Sequence, residues 1–156
     1  RKNDAPLDFD FDKVLEQSRD NPVYYVQYAS ARIHSVFRKA DEAGITFDKK
    51  QAMNERFETV THEAEIKIAK KLAEWPRLVE IAAKTNEPHR IAFYLYELAG
   101  DFHSLWNKGN EISELRFIQE DNHRASCIKM AMISAVLVVI SSGLDILGVE
   151  PATHMN

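Results

Sequence analysis

The sequence has few of the residues that interrupt helices or cross-link a chain. Its 156 residues include five glycines, five prolines and one cysteine, Cys127. A single cysteine excludes an intrachain disulfide and a thiolate metal cluster, as is usual in a reducing cytoplasm. Most of the glycines and prolines fall where helices are expected to begin or end, which favours an all-α fold over a β-sandwich.

Long apolar runs are also missing. The longest, Met130–Ile140, has 11 residues including Ser134 and is too short to cross a bilayer. The first residues lack a signal-peptide pattern, and the chain begins with Arg1 rather than Met. We therefore expect part of a longer cytoplasmic protein that has no contact with a membrane.

An excess of positive charge is the third absence. The net charge is −4 and the isoelectric point is near 5.9. A protein that binds nucleic acid mainly through phosphates is expected to be basic, so any RNA site in this chain must be local. With 45% hydrophobic and 28% charged residues, the chain is expected to fold as one domain around a single core.

The strongest feature that is present is a helix start at Asn21-Pro22. Asparagine is a favoured N-cap, proline suits the first helical position, and no other glycine or proline occurs before Gly44. This spacing predicts a helix of about 22 residues. One side of that helix is apolar and carries Val26, Ala29, Ile33, Val36, Phe37 and Ala40.

The neighbouring arc of the same helix carries Asn21, Tyr25, Tyr28 and Arg32, where a solvent-facing arc normally has charged residues. Aromatic rings that stack and a guanidinium that makes planar contacts are suited to unpaired RNA bases. The alternative is structural: the tyrosines pack on the next helix, and Arg32 pairs with an acid. Periodicity alone leaves both interpretations open.

Further helices are expected along the rest of the chain, giving a bundle of about five or six. Proline is expected to end one helix and begin another at Pro76, and glycines are expected to end the others. The predicted spans are Thr61 to Pro76, a helix from Pro76 onward, Pro88 to Gly109, and Asp121 or Asn122 to Gly143.

Three lysines, Lys67, Lys70 and Lys71, cluster on the exposed side of the helix that begins near Thr61. Basic clusters of this kind are found both where a protein contacts an RNA backbone and on ordinary solvated helix faces. The sequence leaves both interpretations open.

Motifs for catalysis are missing. There is no phosphate-binding loop, no dinucleotide fingerprint and no H-E-x-x-H pair, and the six histidines lack metal-ligand spacing. Glu63 and Glu65 point to different faces of a helix, so they do not form a catalytic pair. We therefore expect no catalytic residue and no metal site in this chain.

Three stretches carry a resemblance to a known family. Residues 21–32 fit the pattern N-P-x-x-Y-[VL]-Q-Y-A-x-[AS]-R, and residues 94–107 fit Y-L-x-x-L-A-x-x-F-H-x-[FL]-[YW]-N. Residues 143–149 fit G-L-x-[IL]-L-G-[VI]. Together they resemble the C-terminal, DALR-type anticodon-binding domain of arginyl-tRNA synthetases, which are class I enzymes.

The resemblance implies that catalysis and anticodon binding belong to separate domains. Residues 1–20 resemble the linker from a catalytic domain that precedes this chain, and residues 21–156 resemble the helical anticodon-binding domain. The expected partner is the anticodon loop of tRNA-Arg. The chain is then a fragment of an arginine–tRNA ligase: the preceding domain uses ATP and Mg²⁺ to attach arginine, and this domain needs no cofactor of its own.

By the same resemblance, Tyr25 and Trp106 stack on anticodon bases, and Arg32 contacts a base edge or a phosphate. The other residues placed near the anticodon by their positions in the family patterns are Asn21, Gln27, Tyr28, His103 and Met155. Gln27 lies on a different arc of its helix, so a structural role is the alternative for it. The family commonly ends with a methionine at or near its last residue, whereas here Met155 is followed by one extra residue, Asn156.

Two other classes of protein remain as alternatives. One is the related anticodon-binding domain of another class I synthetase, such as the cysteine enzyme, which lacks the N-P-x-x-Y-[VL]-Q-Y-A signature. The other is a helical protein–protein interaction module with an aromatic docking face, which agrees with the net negative charge.

Overall fold

The structure is a computed structural model that describes residues 16–18, 20–48, 50 and 60–155. Within these ranges the regular structure is entirely helical, so the all-α prediction is confirmed. The elements are α1 (Pro22–Glu42), α2 (Glu63–Thr85), α3 (His89–Glu111), a 3₁₀ turn (Ser113–Leu115) and α4 (His123–Ile146). These described ranges hold four complete α-helices, whereas five or six were predicted for the whole chain. Most of residues 1–20, which the resemblance assigns to a linker, lie outside the described residues.

The limits of α1 match the prediction. The Asn21 side-chain oxygen accepts hydrogen bonds from the backbone N–H groups of Val23 and Tyr24, and proline follows at the first helical position. At the other end, Gly44 has φ +71°, a conformation that glycine adopts without steric cost. The Ile45 N–H bonds to the Ala40 carbonyl across this turn, which closes the helix end.

The predicted break at Pro76 is wrong, because α2 continues through it to Thr85. A proline inside a helix lacks one N–H donor and crowds the preceding turn, at a cost of about 3 kcal/mol. Packing on α3 offsets this cost: the Trp75 ring lies 5.3 Å from the Tyr94 ring, and Leu78 packs on the core beyond the proline. The N-cap is His62 rather than the expected Thr61.

The predicted stops at Gly109 and Gly143 are also wrong, since both glycines lie inside helices. Each allows a close approach instead. A Cβ atom at Gly109 would lie 3.2 Å from the Leu115 carbonyl oxygen, and one at Gly143 would lie 2.7 Å from a Leu95 methyl carbon. The helix α4 begins after Asn122, one of the two predicted caps, and closes before Gly148, where φ is +71°.

Gly143→Ala is therefore expected to destabilise the fold by about 1–2 kcal/mol, because overpacking against the buried Leu95 outweighs the better helix propensity of alanine. Urea unfolding followed by circular dichroism measures the change. Gly100→Ala is the matched control: its new methyl would meet only the Tyr25 ring, at 4.0 Å. It is expected to leave stability equal or higher, and equal behaviour of the two variants would contradict the prediction.

The helices pack as one bundle in which α3 contacts α1, α2 and α4. The core between them contains Ile33, Leu98, Phe102, Ile133 and Val136, all fully buried. Among the described helices, α4 alone has the length and apolar composition of a membrane span, a test that a central bundle helix also passes. Of its most apolar stretch, 56% is buried against the rest of the structure.

Candidate nucleic-acid interface

Five side chains from α1 and α3 meet on one side of the bundle, and we call them the arginine cluster: Tyr25, Tyr28, Arg32, His103 and Trp106. The Arg32 guanidinium carbon lies 4.4 Å from the centre of the Tyr28 ring and 4.7 Å from that of the Trp106 ring. The Arg32 Nη2 atom also donates a hydrogen bond of 2.7 Å to the Tyr28 hydroxyl. These contacts hold a half-buried guanidinium between two aromatic side chains.

His103 lies beneath this cluster and is 5% exposed. Its Nδ1 atom is 3.1 Å from the Arg32 Nη1 atom, and its Nε2 atom is 3.3 Å from the Tyr25 carbonyl oxygen. Because arginine can only donate, Nδ1 must accept, and the single imidazole proton lies on Nε2, facing the carbonyl. Both ring nitrogens of His103 are thus engaged within the protein.

Burial is the main cause that lowers the pKa of His103 to about 4; the hydrogen bond to the Tyr25 carbonyl opposes it, and the Arg32 charge adds a smaller lowering effect. A neutral imidazole is what the geometry requires, since a proton on Nδ1 would face the guanidinium. His103 therefore remains neutral at physiological pH and orients Arg32.

Asn21 and Gln27 are engaged in holding the helix α1. The Asn21 side chain caps it, and its amide nitrogen donates to the Glu16 carbonyl oxygen at 3.0 Å. The Gln27 amide donates to the Glu150 carbonyl oxygen at 3.0 Å, in the segment that follows α4. This hydrogen bond agrees with the structural alternative for Gln27.

The C-terminal segment lies on another arc of α1. The Arg38 Nη1 atom donates to the Thr153 carbonyl oxygen at 3.4 Å. Gln27 and Arg38 lie roughly 120° around the helix from Tyr25, Tyr28 and Arg32. These two hydrogen bonds thus hold the chain that leads to Met155 against this second arc.

The three lysines lie in a cleft between α2 and α3 that adjoins the arginine cluster. The cleft has a volume of about 800 Å³, and its walls include Tyr25 and His103 as well as Lys67, Lys70 and Lys71. The cleft is therefore continuous with the cluster through two shared side chains. This brings the predicted stacking site and the predicted backbone patch together.

Sequence reasoning missed the α3 wall of this cleft, which contains Tyr96, Glu97, Gly100, Asp101, Ser104 and Asn107. The Tyr96 ring lies 5.2 Å from the Tyr25 ring. A signal was present, because Tyr96, Gly100, Ser104 and Asn107 follow one another at intervals of four and three residues, the spacing of one helix face.

The described residues contain no group of three or more His, Cys, Asp or Glu side chains that is arranged to hold a metal ion. The side chains brought together here are aromatic rings, a guanidinium and lysines, types that are able to bind planar bases and phosphates.

Residues 26–155 match the family of DALR anticodon binding domains. The chain belongs to this family. Arginine–tRNA ligases from Ruegeria pomeroyi and Jannaschia sp. are 66% and 61% identical to it over 156 and 155 residues. These alignments cover 100% and 99% of the chain but only 27% and 26% of the two ligases. The chain thus spans about a quarter of the length of these relatives.

The DALR fold is also found in a solved structure. A Campylobacter jejuni chain described as an arginyl-tRNA synthetase superposes with a TM-score of 0.81 at 24% identity, covering 99% of this chain and 31% of that one. The resemblance to the anticodon-binding domain of arginyl-tRNA synthetases, stated from three sequence patterns, is confirmed by the family match and by the ligase relatives.

Proposed function

We propose that this chain takes up the anticodon loop of tRNA-Arg as the C-terminal part of an arginine–tRNA ligase. In this proposal a preceding catalytic domain of the same cytoplasmic protein attaches arginine to the tRNA with ATP and Mg²⁺. The ligase relatives and the DALR family match support it.

The observation that best supports this function is the Arg32 guanidinium held between Tyr28 and Trp106 at the edge of a cleft. In the proposed complex, Tyr25 and Trp106 stack on splayed bases, and Arg32 reads a base edge. His103 supports Arg32 rather than contacting RNA, because its two nitrogens are already bonded within the protein.

The remaining predicted site residues have lesser roles in the proposed complex. Lys67, Lys70 and Lys71 line the cleft and contact the RNA backbone. Asn21 and Gln27 hold α1 in position through their hydrogen bonds to backbone carbonyls. Contact between Met155 and the anticodon stays a prediction from the family pattern.

Binding to a tRNA-Arg transcript, compared with a transcript whose middle anticodon base is changed, tests the proposal. Trp106→Ala is expected to weaken binding of tRNA-Arg about 5- to 150-fold, equivalent to 1–3 kcal/mol for a lost stacking contact. Arg32→Ala is expected to abolish discrimination between the transcripts if its contact is to a base edge. Fluorescence anisotropy at low and moderate salt measures both effects.

Two matched controls lie on α3. Phe93 is a 55% exposed aromatic residue that lies roughly 140° around the helix from Trp106, and Arg90 lies at the first turn. Phe93→Ala and Arg90→Ala are expected to leave binding unchanged. Affinity and discrimination that both Trp106→Ala and Arg32→Ala leave unchanged would contradict the proposal, and the helical interaction module would remain as the alternative.

A further inference from the structure

The lysine cleft is charge-balanced, which is unusual for an RNA-binding surface. Its walls carry three lysines, Lys67, Lys70 and Lys71, and three acids, Glu74, Glu97 and Asp101. A surface that binds phosphates normally carries a clear excess of positive charge. The acids therefore have to be accounted for in any RNA complex that uses this cleft.

Two of the acids are paired with two of the lysines across the cleft. Lys67 Nζ lies 2.6 Å from an Asp101 oxygen, and Lys71 forms a second ion pair with Glu97. The Asp101 hydrogen bond also raises the pKa of Lys67. The two lysines are four residues apart on α2, and the two acids are four residues apart on α3. The two ion pairs therefore lie about one helical turn apart between the helices.

Each ion pair joins one exposed and one largely buried side chain. In the first pair Lys67 is 69% exposed and Asp101 15%, and in the second Glu97 is 62% exposed and Lys71 18%. Ion pairs that stay in contact with solvent are weak and exchange partners readily. A phosphate presents the same kind of charged oxygen as a carboxylate, so it can replace Asp101 or Glu97 as the partner of the lysine.

We propose that Asp101 and Glu97 compete with RNA phosphates for Lys67 and Lys71, so that RNA enters the cleft by exchanging two intramolecular ion pairs. This inference rests on the proposed function and adds a specificity device to it. Any RNA must break the pairs, but only one that also engages the arginine cluster recovers enough binding energy. The acids thus disfavour non-specific RNA.

Asp101→Asn and Glu97→Gln test the exchange, because they release one lysine each without a change of shape. Each is expected to raise the affinity for tRNA-Arg about two- to fivefold at low salt, the range expected for an exposed ion pair. Each is also expected to steepen the slope of log affinity against log salt by about 0.7, the single-strand value for one additional phosphate contact. Binding of an unrelated tRNA should rise at least as much.

Glu80→Gln is the matched control, since it removes an acid paired with Lys84 near the far end of α2. It makes the same change in net charge outside the cleft and is expected to leave affinity and slope nearly unchanged. The exchange proposal is overturned if Asp101→Asn behaves like Glu80→Gln or weakens binding. The ion pairs would then have only a structural role. Thermal unfolding of each variant shows that the fold is kept.

Trp106→Ala in the same titrations separates the two proposals. If it weakens binding while Asp101→Asn fails to strengthen it, only the exchange is overturned. If Trp106→Ala has no effect, or if the unsubstituted chain does not bind tRNA-Arg, the proposed function itself fails. Lys67→Gln provides the converse measurement, with an expected loss of affinity and a shallower salt slope.

Discussion

Lys129→Met is expected to lower the free energy of unfolding by about 3–5 kcal/mol, the usual effect of removing one partner from a buried ion pair. Lys129 on α4 pairs with Glu65 in the first turn of α2, and their side chains are only 6% and 1% exposed. Without the lysine, a carboxylate remains in the core with no opposite charge. Urea unfolding followed by circular dichroism measures the loss.

A double variant, Lys129→Met with Glu65→Leu, separates the loss of a partner from the loss of the fold. Apolar replacement of both charges is expected to recover most of the stability. Lys84→Met removes the exposed pair with Glu80 and should change the free energy of unfolding by less than about 1 kcal/mol. A Lys129→Met variant as stable as Lys84→Met would contradict the prediction.

The second large effect is a loss of stability with acid that depends on His103. Its pKa is about 4 in the folded chain, below the ordinary value of 6.5, so the unfolded chain takes up a proton first as the pH falls. The contribution of His103 to the free energy of unfolding is therefore fully present above pH 6.5 and is lost as the pH falls from 6.5 to 4. The expected loss is about 3 kcal/mol.

Comparison with His103→Gln isolates this effect, because glutamine cannot take up a proton in that range. Free energies of unfolding are measured for both proteins from pH 7 to pH 4, and the difference between the curves removes the contribution of the carboxylates that both share. The two curves are expected to converge as the pH falls. Parallel curves would mean that the His103 pKa is not lowered. His123→Gln controls for the loss of an exposed histidine.

The ends of α1 were predictable because local rules decide them: Asn21 caps the helix, and Gly44 takes the conformation that closes it. The predicted stops at Pro76, Gly109 and Gly143 failed because residues distant in sequence decide those positions. The helix interiors tolerate these residues here. Packing on α3 supports α2 around Pro76, and close neighbours leave room only for glycine at positions 109 and 143.

The candidate site also combines residues that local rules predict with residues that they do not. Helical periodicity placed Tyr25, Tyr28 and Arg32 on one arc, and the structure keeps them together. His103, which is 71 residues from Arg32, came only from the family pattern. Periodicity could not give the acids opposite Lys67 and Lys71, because their positions depend on how α2 and α3 pack in register.

The restraint on Arg32 bears on how fast a complex forms and falls apart. A flexible arginine loses rotamer freedom when it docks, whereas this side chain has lost it already during folding, through Tyr28, His103 and Trp106. In the proposed complex, binding of RNA then needs no rearrangement at Arg32. Substitutions that loosen the cluster should therefore shorten the residence time of the RNA far more than they slow its association.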